Sequence, residues 1–419
     1  MDMKIIVIGA GPAGMMAAIT AAQLGAKVTL LEKKEQPGKK LKITGKGRCN
    51  LTSALDMDEF MKGYAGNGRF LYSALNAFSN VDLMDFFRNR GLELVVERGQ
   101  RVFPISEQAN DVVQVLLKEL QQTGVELITS CRVNKIDIIE GRFSAVVTEQ
   151  GKYFADAVII TTGGLSYPGT GSTGDGYAWA KVMGHKIFEP RPGLVPLISK
   201  QQWVYSLQGL SLRNVQATAY SREGKKIAED FGEMLFTHFG VSGPIILSMS
   251  RSIGDYLRTA KQPVKLNLDL KPALTNEQLD MRIQRDLTKY ARRQFKNSLD
   301  ELLPQKLIPV IVSLSGIDPE KECNQITRTE RLSLLSLLKA LPIEITATRP
   351  IAEAIVTAGG VDVQEIDPRS MQSRLVQGVY FAGEILDVDG YTGGFNLQAA
   401  FSTGYVAGKR AAEQVEKAE

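Results

Sequence analysis

A glycine string directly after the first apolar run is the part of this sequence that points most clearly to chemistry. Gly9, Gly11 and Gly14 follow the run Lys4 to Ile8, and Glu32 closes the next apolar run. Glycines at this spacing permit a tight turn, close approach of backbone N–H groups to a pyrophosphate, and packing of the next helix on the sheet. Because a helix N-terminus also favours an anion, the string predicts a dinucleotide site.

Two further features distinguish between the dinucleotides. The carboxylate of Glu32 suits ribose hydroxyls and would repel a 2′-phosphate, which favours FAD or NAD over NADP here. Near the end of the chain, Phe381 to Glu384 closes a strand and Gly393 to Gln398 opens a helix, expected to be the last and to start near Gln398. A helix N-terminus at this place stabilises negative charge on a flavin pyrimidine during reduction. This second element favours FAD.

Composition limits the class of protein. The chain of 419 residues has a formal charge of +4, which is small for its length and does not by itself demand nucleic acid or a membrane surface. Cys49, Cys131 and Cys323 form no C-x-x-C pair, and His185 and His238 lie in no metal-ligand cluster. No apolar stretch has the length of a membrane span. We therefore predict a cytoplasmic protein without a metal or membrane partner, of undetermined oligomeric state.

The order of apolar segments predicts an α/β fold, in which strands and amphipathic helices alternate up to a buried strand near residue 160. From about Pro190 the pattern becomes β-rich, and a capping box at Thr275 opens a helical stretch. We expect a Rossmann-like FAD domain of the glutathione-reductase type, formed by both ends of the chain and carrying two insertions. The expected bounds are 1–190 with 345–419 for the FAD domain, 191–274 with 330–344 for the β-rich domain, and 275–329 for the helical domain.

Several landmarks beyond the first glycine string point to one family. They are Gly38 to Leu41, Thr44 to Asn50, Gly171 to Gly176, Leu235 to Pro244, Thr357 to Val361, and Gly394 to Gln398. With them the chain resembles, over nearly its whole length, the bacterial three-domain flavoproteins of the BaiN type, a family that includes aminoacetone oxidase-like enzymes. The resemblance implies one non-covalent FAD in a Rossmann-like domain with a β-rich and a helical insertion.

The predicted cofactor site gathers residues from several turns. Its members are Gly9, Gly11, Pro12, Ala13, Gly14, Glu32, Lys33, Lys40, Gly47, Arg48, Cys49, Asn50, Val133, Thr162, Gly163, Gly383, Glu384, Gly394, Phe395, Asn396, Leu397 and Gln398. Arg48 and Asn50 are candidates to hydrogen-bond the pyrophosphate or the isoalloxazine edge, and Cys49 is expected to contact the cofactor by packing instead of redox chemistry. A second glycine string, Gly169 to Gly174, lacks a strand directly before it and is interpreted as a loop that closes over flavin or substrate.

Two side chains are candidates for catalysis. His238 lies in the stretch Thr237 to Gly240 and is either a packed turn residue or a group that assists proton transfer beside the flavin. Tyr391, in the loop before the last helix, is either a packing residue or a second candidate. We predict an FAD-dependent oxidoreductase that transfers a hydride between flavin and a small organic substrate, such as an aminoketone, with oxygen or another acceptor.

Three alternatives remain open at this point. In the first, NAD(P)H binds transiently, reduces the flavin, and an enone-like substrate accepts the hydride. In the second, the chain is a flavoprotein scaffold without turnover. In the third, the flavoprotein binds or modifies RNA through a basic stripe, which is otherwise a solvated face. The cations of this stripe recur at helical spacing and are Arg282, Arg285, Lys289, Arg292, Arg293 and Lys296.

Overall fold

The computed structural model describes residues 3–413, which fold as two compact units. Unit 1 lies within Met1–Gly193 and Ile351–Glu419, and unit 2 is Leu194–Pro350. Each unit has a hydrophobic core of its own. None of the helices in this described part of the chain combines the length and apolar character that crossing a membrane requires.

The secondary structure alternates in unit 1 and is mainly antiparallel in unit 2. The helices are α1 (Pro12–Gln23), α2 (Lys39–Ile43), α3 (Met57–Met61), α4 (Tyr72–Ala77), α5 (Asn80–Arg88), α6 (Ala109–Gln122), α7 (Asp175–Val182), α8 (Gln202–Ser206), α9 (Pro244–Ala260), α10 (Asn276–Lys289), α11 (Ile308–Ser315), α12 (Arg328–Lys339) and α13 (Phe395–Glu413). The strands are β1 (Lys4–Ile8), β2 (Lys27–Leu31), β3 (Thr52–Ser53), β4 (Leu94–Glu97), β5 (Arg101–Pro104), β6 (Glu126–Ile128), β7 (Val133–Ile139), β8 (Arg142–Thr148), β9 (Gly151–Phe154), β10 (Ala157–Ile160), β11 (Ile187–Gly193), β12 (Leu197–Ile198), β13 (Ser211–Tyr220), β14 (Lys226–Thr237), β15 (Gly240–Ser242), β16 (Val264–Asp269), β17 (Leu341–Ile345), β18 (Ala347–Thr348), β19 (Val356–Val361) and β20 (Val379–Phe381).

A five-stranded parallel sheet in the order β20-β10-β1-β2-β6 forms the centre of unit 1. Strands such as β10, Ala157–Ile160, are buried along their whole length, as expected of a parallel sheet that is covered on both faces. Strand β1 lies at the centre of the sheet. The next strand along the chain, β2, pairs with one of its edges, and β10 pairs with the other. A ligand crevice is expected outside the carboxyl ends of the strands at this switch point. The predicted α/β, Rossmann-like class is confirmed.

The last helix, α13, crosses α1 with the two backbones in contact. A Cβ on Gly404 would lie 2.2 Å from the carbonyl oxygen of Ala13, and one on Gly408 would lie 2.2 Å from that of Ala17. Only glycine permits this approach, which seats the C-terminal helix on the first helix of the unit. The helix begins at Phe395, so the predicted start near Gln398 is three residues late.

Unit 2 combines a seven-stranded sheet with helices around one core. The predicted capping box is confirmed, since the Thr275 hydroxyl accepts from Gln278 N at 3.2 Å while the Gln278 side chain accepts from Thr275 N at 3.0 Å. Both the β-rich stretch and the helical stretch contribute to the same core. Their separation into two domains therefore stays a prediction.

The basic stripe predicted for residues 282–296 does not form one helical face. Helix α10 ends at Lys289. Arg292 and Arg293 follow in a turn, and Lys296 lies in a separate short 3-10 helix, Phe295–Asn297. Carboxylates also pair with much of the charge: Lys289 lies 2.6 Å from Glu301, and Arg282 lies 3.4 Å from Asp286. The prediction that these cations form one stripe at helical spacing is wrong.

A buried histidine in unit 1 makes stability depend on pH. The His185 ring lies 3.0 Å from a Glu365 oxygen and 2.8 Å from the Ser373 hydroxyl. Burial lowers the pKa of His185 below its ordinary value of 6.5, against an opposing contribution from Glu365. The native state therefore binds fewer protons than the unfolded state, so stability is fully present above about pH 6.5 and falls as the pH decreases toward the folded pKa.

We expect the free energy of unfolding to decrease between neutral pH and the folded pKa, and His185→Gln to remove most of that decrease. Urea unfolding at a series of pH values measures it. His238→Gln is the matched control, because these are the two histidines of the chain. A His185 ring that titrates in NMR at or above the ordinary value would contradict the expectation.

Candidate active site

The turn between β1 and α1 is an open cradle at the edge of the parallel sheet. Gly9 has φ +103°, and a Cβ there would lie 2.7 Å from Thr161 O, while a Cβ on Gly14 would lie 1.9 Å from Gly9 O. A Cβ on Gly11, in contrast, would meet nothing within 4 Å. The protein's own packing thus requires the first and third glycines, whereas the second faces open space.

This open space has the properties of a diphosphate site. Gly11 is the N-cap of α1, no side chain caps the helix, and Pro12 occupies the first turn. The first-turn N–H groups of an α-helix have no partner within the helix and carry its partial positive charge. The cradle therefore fits the diphosphate of FAD, which would be held by the turn from Gly11 to Gly14.

Glu32 is fixed at the adjacent strand end. Its carboxylate accepts from Ala10 N at 2.9 Å and from Lys34 N at 2.8 Å. The second glycine string lies against the same place, because a Cβ on Gly171 would be 3.8 Å from a Glu32 oxygen. Lys33 contacts this region too, through an ion pair of 2.7 Å with Asp175. The second string thus borders the first cradle, as the interpretation of a covering loop requires.

A partly buried network fixes the turn after β20. The Glu384 carboxylate accepts from Lys40 Nζ at 2.5 Å, from the Ser166 hydroxyl at 2.8 Å and from Thr357 N at 2.7 Å. The Thr357 hydroxyl in turn accepts from the backbone of Leu165 at 2.8 Å. Sequence reasoning missed Ser166 and Thr357 as members of the site. Thr357 lies two residues before the glycine pair Gly359 and Gly360, which is the signal that could have found it.

The loop from Gly45 to Asn50 is bonded to the protein around it. Arg48 pairs with Glu97 at 2.5 Å and Glu107 at 2.7 Å, and its guanidinium lies 4.3 Å from the ring centre of Phe103. The structure therefore directs Arg48 to the β4–β5 hairpin. Its predicted contact with the cofactor stays a prediction, and three protein partners compete with it.

Two neighbours of Arg48 behave differently from each other. Cys49 is fully buried, and burial raises the pKa of its thiol to about 12, so it is a poor nucleophile at neutral pH. This agrees with a packing role. Asn50, in the amide orientation that satisfies both of its atoms, donates to Thr52 O at 3.1 Å and accepts from Gly394 N at 3.2 Å. The loop is thereby joined to the start of α13.

The first turn of α13 uses its side chains for internal bonds. Gln398 is buried, accepts from the Thr52 hydroxyl at 2.7 Å and donates to Phe78 O at 3.2 Å. Asn396 bonds both backbone atoms of Gly390 at 2.8 Å. These side chains are therefore bonded within the protein, and the predicted contact of the helix N-terminus with the cofactor would be made through its backbone.

The remaining predicted residues lie at different places. Val133 begins β7 and is buried, and Thr162 with Gly163 follows β10. Tyr391 is 37% exposed, and its backbone N donates to Gly63 O at 2.8 Å. His238 is exposed at the turn between β14 and β15 in unit 2. Unit 1 thus contains every predicted cofactor residue and one of the two catalytic candidates.

Comparison with known proteins identifies the family. A family model described as HI0933-like protein Rossmann domain matches residues 3–410. The chain belongs to this family. A 3-dehydro-bile acid delta(4,6)-reductase from Clostridium scindens is 35% identical over 98% of this chain and 99% of its own. Ribosomal RNA dihydrouridine synthases from Haemophilus influenzae and Escherichia coli are each 30% identical, over 96% of both chains.

Solved structures share the fold. A 3-ketosteroid-delta4-(5alpha)-dehydrogenase from Rhodococcus jostii has a TM-score of 0.54 at 15% identity and covers 99% of this chain and 98% of its own. A 3-ketosteroid delta1-dehydrogenase from Sterolibacterium denitrificans also has a TM-score of 0.54, at 14% identity, over 98% and 99%. With the family and the cradle, the predicted class is confirmed: the chain is an FAD-dependent oxidoreductase.

Proposed function

We propose that this protein reduces a carbon–carbon double bond conjugated with a carbonyl group, and that the double bond is C5=C6 of a uracil in ribosomal RNA. The observation that carries the proposal is the chemistry shared by the relatives' names. Dihydrouridine is uridine with that bond saturated, and a delta(4,6)-reductase of a 3-dehydro-bile acid acts on double bonds conjugated with the 3-oxo group. Both reactions add a hydride and a proton to such a bond.

We choose uracil because the same activity is named for two of the relatives. The name ribosomal RNA dihydrouridine synthase belongs to two relatives from different organisms, each matching over 96% of this chain. A cyclic enone is the second candidate, favoured by the 35% identity to the bile acid reductase. The two candidates differ in substrate and share the chemistry, whereas the amine oxidation expected from the sequence would run in the opposite direction.

Bound non-covalently, FAD would supply the hydride-transfer chemistry between a nicotinamide donor and the double bond, to which a proton is also added. The turn at Gly11 would hold the diphosphate and Glu32 the ribose. The N-terminus of α13 would stabilise negative charge on the reduced ring. Non-covalent binding is supported by Cys49, whose buried thiol, with a pKa of about 12, is a poor group for attachment.

We assign the proton transfer to Tyr391. Its backbone is fixed by Gly63 and by Asn396, whose amide donates to Tyr391 O at 3.3 Å, while its side chain is partly exposed. We expect Tyr391→Phe to lower kcat about 100-fold without loss of flavin, since general acid catalysis contributes about that factor. Steady-state turnover measures this. His238→Ala is the comparison variant. If His238→Ala lowers kcat strongly while Tyr391→Phe leaves kcat nearly unchanged, the proton transfer belongs to His238.

Product analysis tests the function. The FAD-loaded protein is incubated without oxygen with NADPH and either ribosomal RNA that lacks dihydrouridine or a conjugated 3-oxo bile acid. In a separate reaction it is incubated with aminoacetone in air and without NADPH, so that oxygen is available as the acceptor. Mass spectrometry of the digested RNA should show dihydrouridine. Reduction of the bile acid alone would favour the second candidate, and oxidation of aminoacetone alone would overturn the proposal.

A further inference from the structure

Unit 1 contains a cavity of about 820 Å³ between two segments of the chain. None of the predicted cofactor residues is among the residues that line it. One wall comes from residues 61–70, which begin at the last residue of α3, and the other from residues 363–374, between β19 and β20. Its lining includes three cations, Lys62, Arg69 and Arg374, and no carboxylate. The charged side chains that line the cavity are therefore all cationic.

Two of these cations are available to a ligand. Lys62 forms an ion pair of 2.5 Å with Glu59. Within residues 3–413, neither Arg69 nor Arg374 forms an ion pair, and both are exposed. A guanidinium presents several N–H donors in a planar fork that matches phosphate oxygens. Two such groups at one cavity indicate a phosphate-bearing ligand.

The cavity wall is connected to the loop that precedes α13. The Tyr64 hydroxyl donates to Phe395 O at 3.0 Å, at the first residue of that helix. Asn67 donates to Asp387 O at 2.8 Å, and the backbone of Tyr64 bridges to Gly390. A ligand in this cavity would therefore lie beside the elements that we expect to face the flavin ring.

Size and shape favour a small molecule. The volume falls in the range of about 300–1,000 Å³ that is typical of small-molecule sites, whereas a polynucleotide requires an extended groove that follows its backbone. Tyr64 and Phe70 add aromatic surface to the lining. The described part of the chain offers one glycine string that follows its strand directly, so a nicotinamide donor has to use a site of another kind.

We propose that this cavity binds the adenosine half of NADPH, with Arg69 and Arg374 contacting its 2′-phosphate. This inference rests on the proposed function only in taking a nicotinamide nucleotide as the electron donor. The donor gives up a hydride to the flavin and leaves as NADP⁺, and the electrons then pass to the substrate. The arrangement makes the protein selective for NADPH over NADH.

Calorimetric titration of the FAD-loaded protein with 2′,5′-ADP and with 5′-AMP tests the site without any substrate. We expect 2′,5′-ADP to bind more tightly, and Arg69→Gln and Arg374→Gln each to weaken it about tenfold, with 5′-AMP nearly unaffected. Arg142→Gln, an exposed arginine on β8, is the matched control and should bind as the wild type does. The visible flavin spectrum checks that each variant has folded.

Steady-state kinetics gives a second readout. The NADPH-to-NADH preference in kcat/KM should fall in both variants, while reduction of substrate with dithionite as the electron source stays normal. Equal affinity for 2′,5′-ADP in wild type and variants would overturn the proposal. Weakened binding of an oligouridylate with unchanged binding of 2′,5′-ADP would overturn it too and assign the arginines to RNA. The calorimetric titration needs no turnover. Its result therefore stands even if the protein does not catalyse the proposed reaction.

Discussion

Replacing Gly11 by alanine should weaken FAD binding about 100-fold and leave the fold of the apoprotein intact. In the structure a Cβ at this position meets nothing within 4 Å, and the backbone is extended at φ −83°, which alanine adopts freely. The methyl group would occupy the place of the diphosphate. Loss of two hydrogen bonds to a charged group, at about 1.5 kcal/mol each, gives about two orders of magnitude in Kd.

Gly254→Ala in α9 is the control for this change. A Cβ on Gly254 would meet only a methyl group of Thr348, at 3.2 Å, and unit 2 contains none of the predicted cofactor residues. Fluorescence titration of the apoproteins with FAD, together with thermal unfolding, separates the two variants. If both alter FAD affinity equally, or if Gly11→Ala lowers the Tm of the apoprotein, the open space over Gly11 is not the diphosphate site.

Replacing Gly404 by valine should destabilise unit 1 by about 3 kcal/mol. The new side chain would meet the backbone of α1, since a Cβ there lies only 2.2 Å from Ala13 O. Helix propensity alone predicts the opposite sign, because glycine costs about 1 kcal/mol in a helix interior. Overpacking costs about 1–3 kcal/mol where side chains can move, and a backbone carbonyl cannot move aside, so the clash prevails.

Chemical unfolding of the apoprotein measures this effect. Gly254→Val in α9 is the matched helical control, since its Cβ would meet only a methyl group of Thr348, at 3.2 Å. We expect the control to change the stability of the protein much less. A Gly404→Val protein as stable as the wild type would show that α13 is not held against α1 as described.

The features that the sequence predicted well are those set by neighbours along the chain. A strand, three glycines and a helix follow one another within a few residues, so the spacing alone indicates the turn. The φ of +103° at Gly9 and the close contact at Gly14 are what that spacing requires. The capping box at Thr275 was predictable for the same reason, since its bonds join residues three apart.

Features formed by distant residues could not be predicted in this way. Gln398 bonds Thr52 across 346 positions, and Lys40 bonds Glu384 across 344. A side chain that is able to bind a cofactor is equally able to bind the protein, and only the fold decides between them. Arg48 is the clearest case, because the carboxylates that pair with it lie 49 and 59 residues further along the chain.

Periodicity failed where a helix ended without a strong signal. The cations continue at helical spacing beyond Lys289, but the chain turns there, and an extended residue, Gln294, follows before the next short helix. At α13 the opposite occurred. Gly393 and Gly394, with φ of +135° and +98°, end the preceding loop, so the helix begins directly after them at Phe395.

We expect one FAD, held by the turn at Gly11 and by the start of α13, to reduce a conjugated double bond. To measure this, the reduced, FAD-loaded protein is mixed with uridine-containing ribosomal RNA in the absence of oxygen, and the visible absorbance of the flavin is followed. The flavin should be reoxidised, with one dihydrouridine formed for each flavin. A flavin that stays reduced with both the RNA and a cyclic enone, and is reoxidised only when air is admitted, would contradict it.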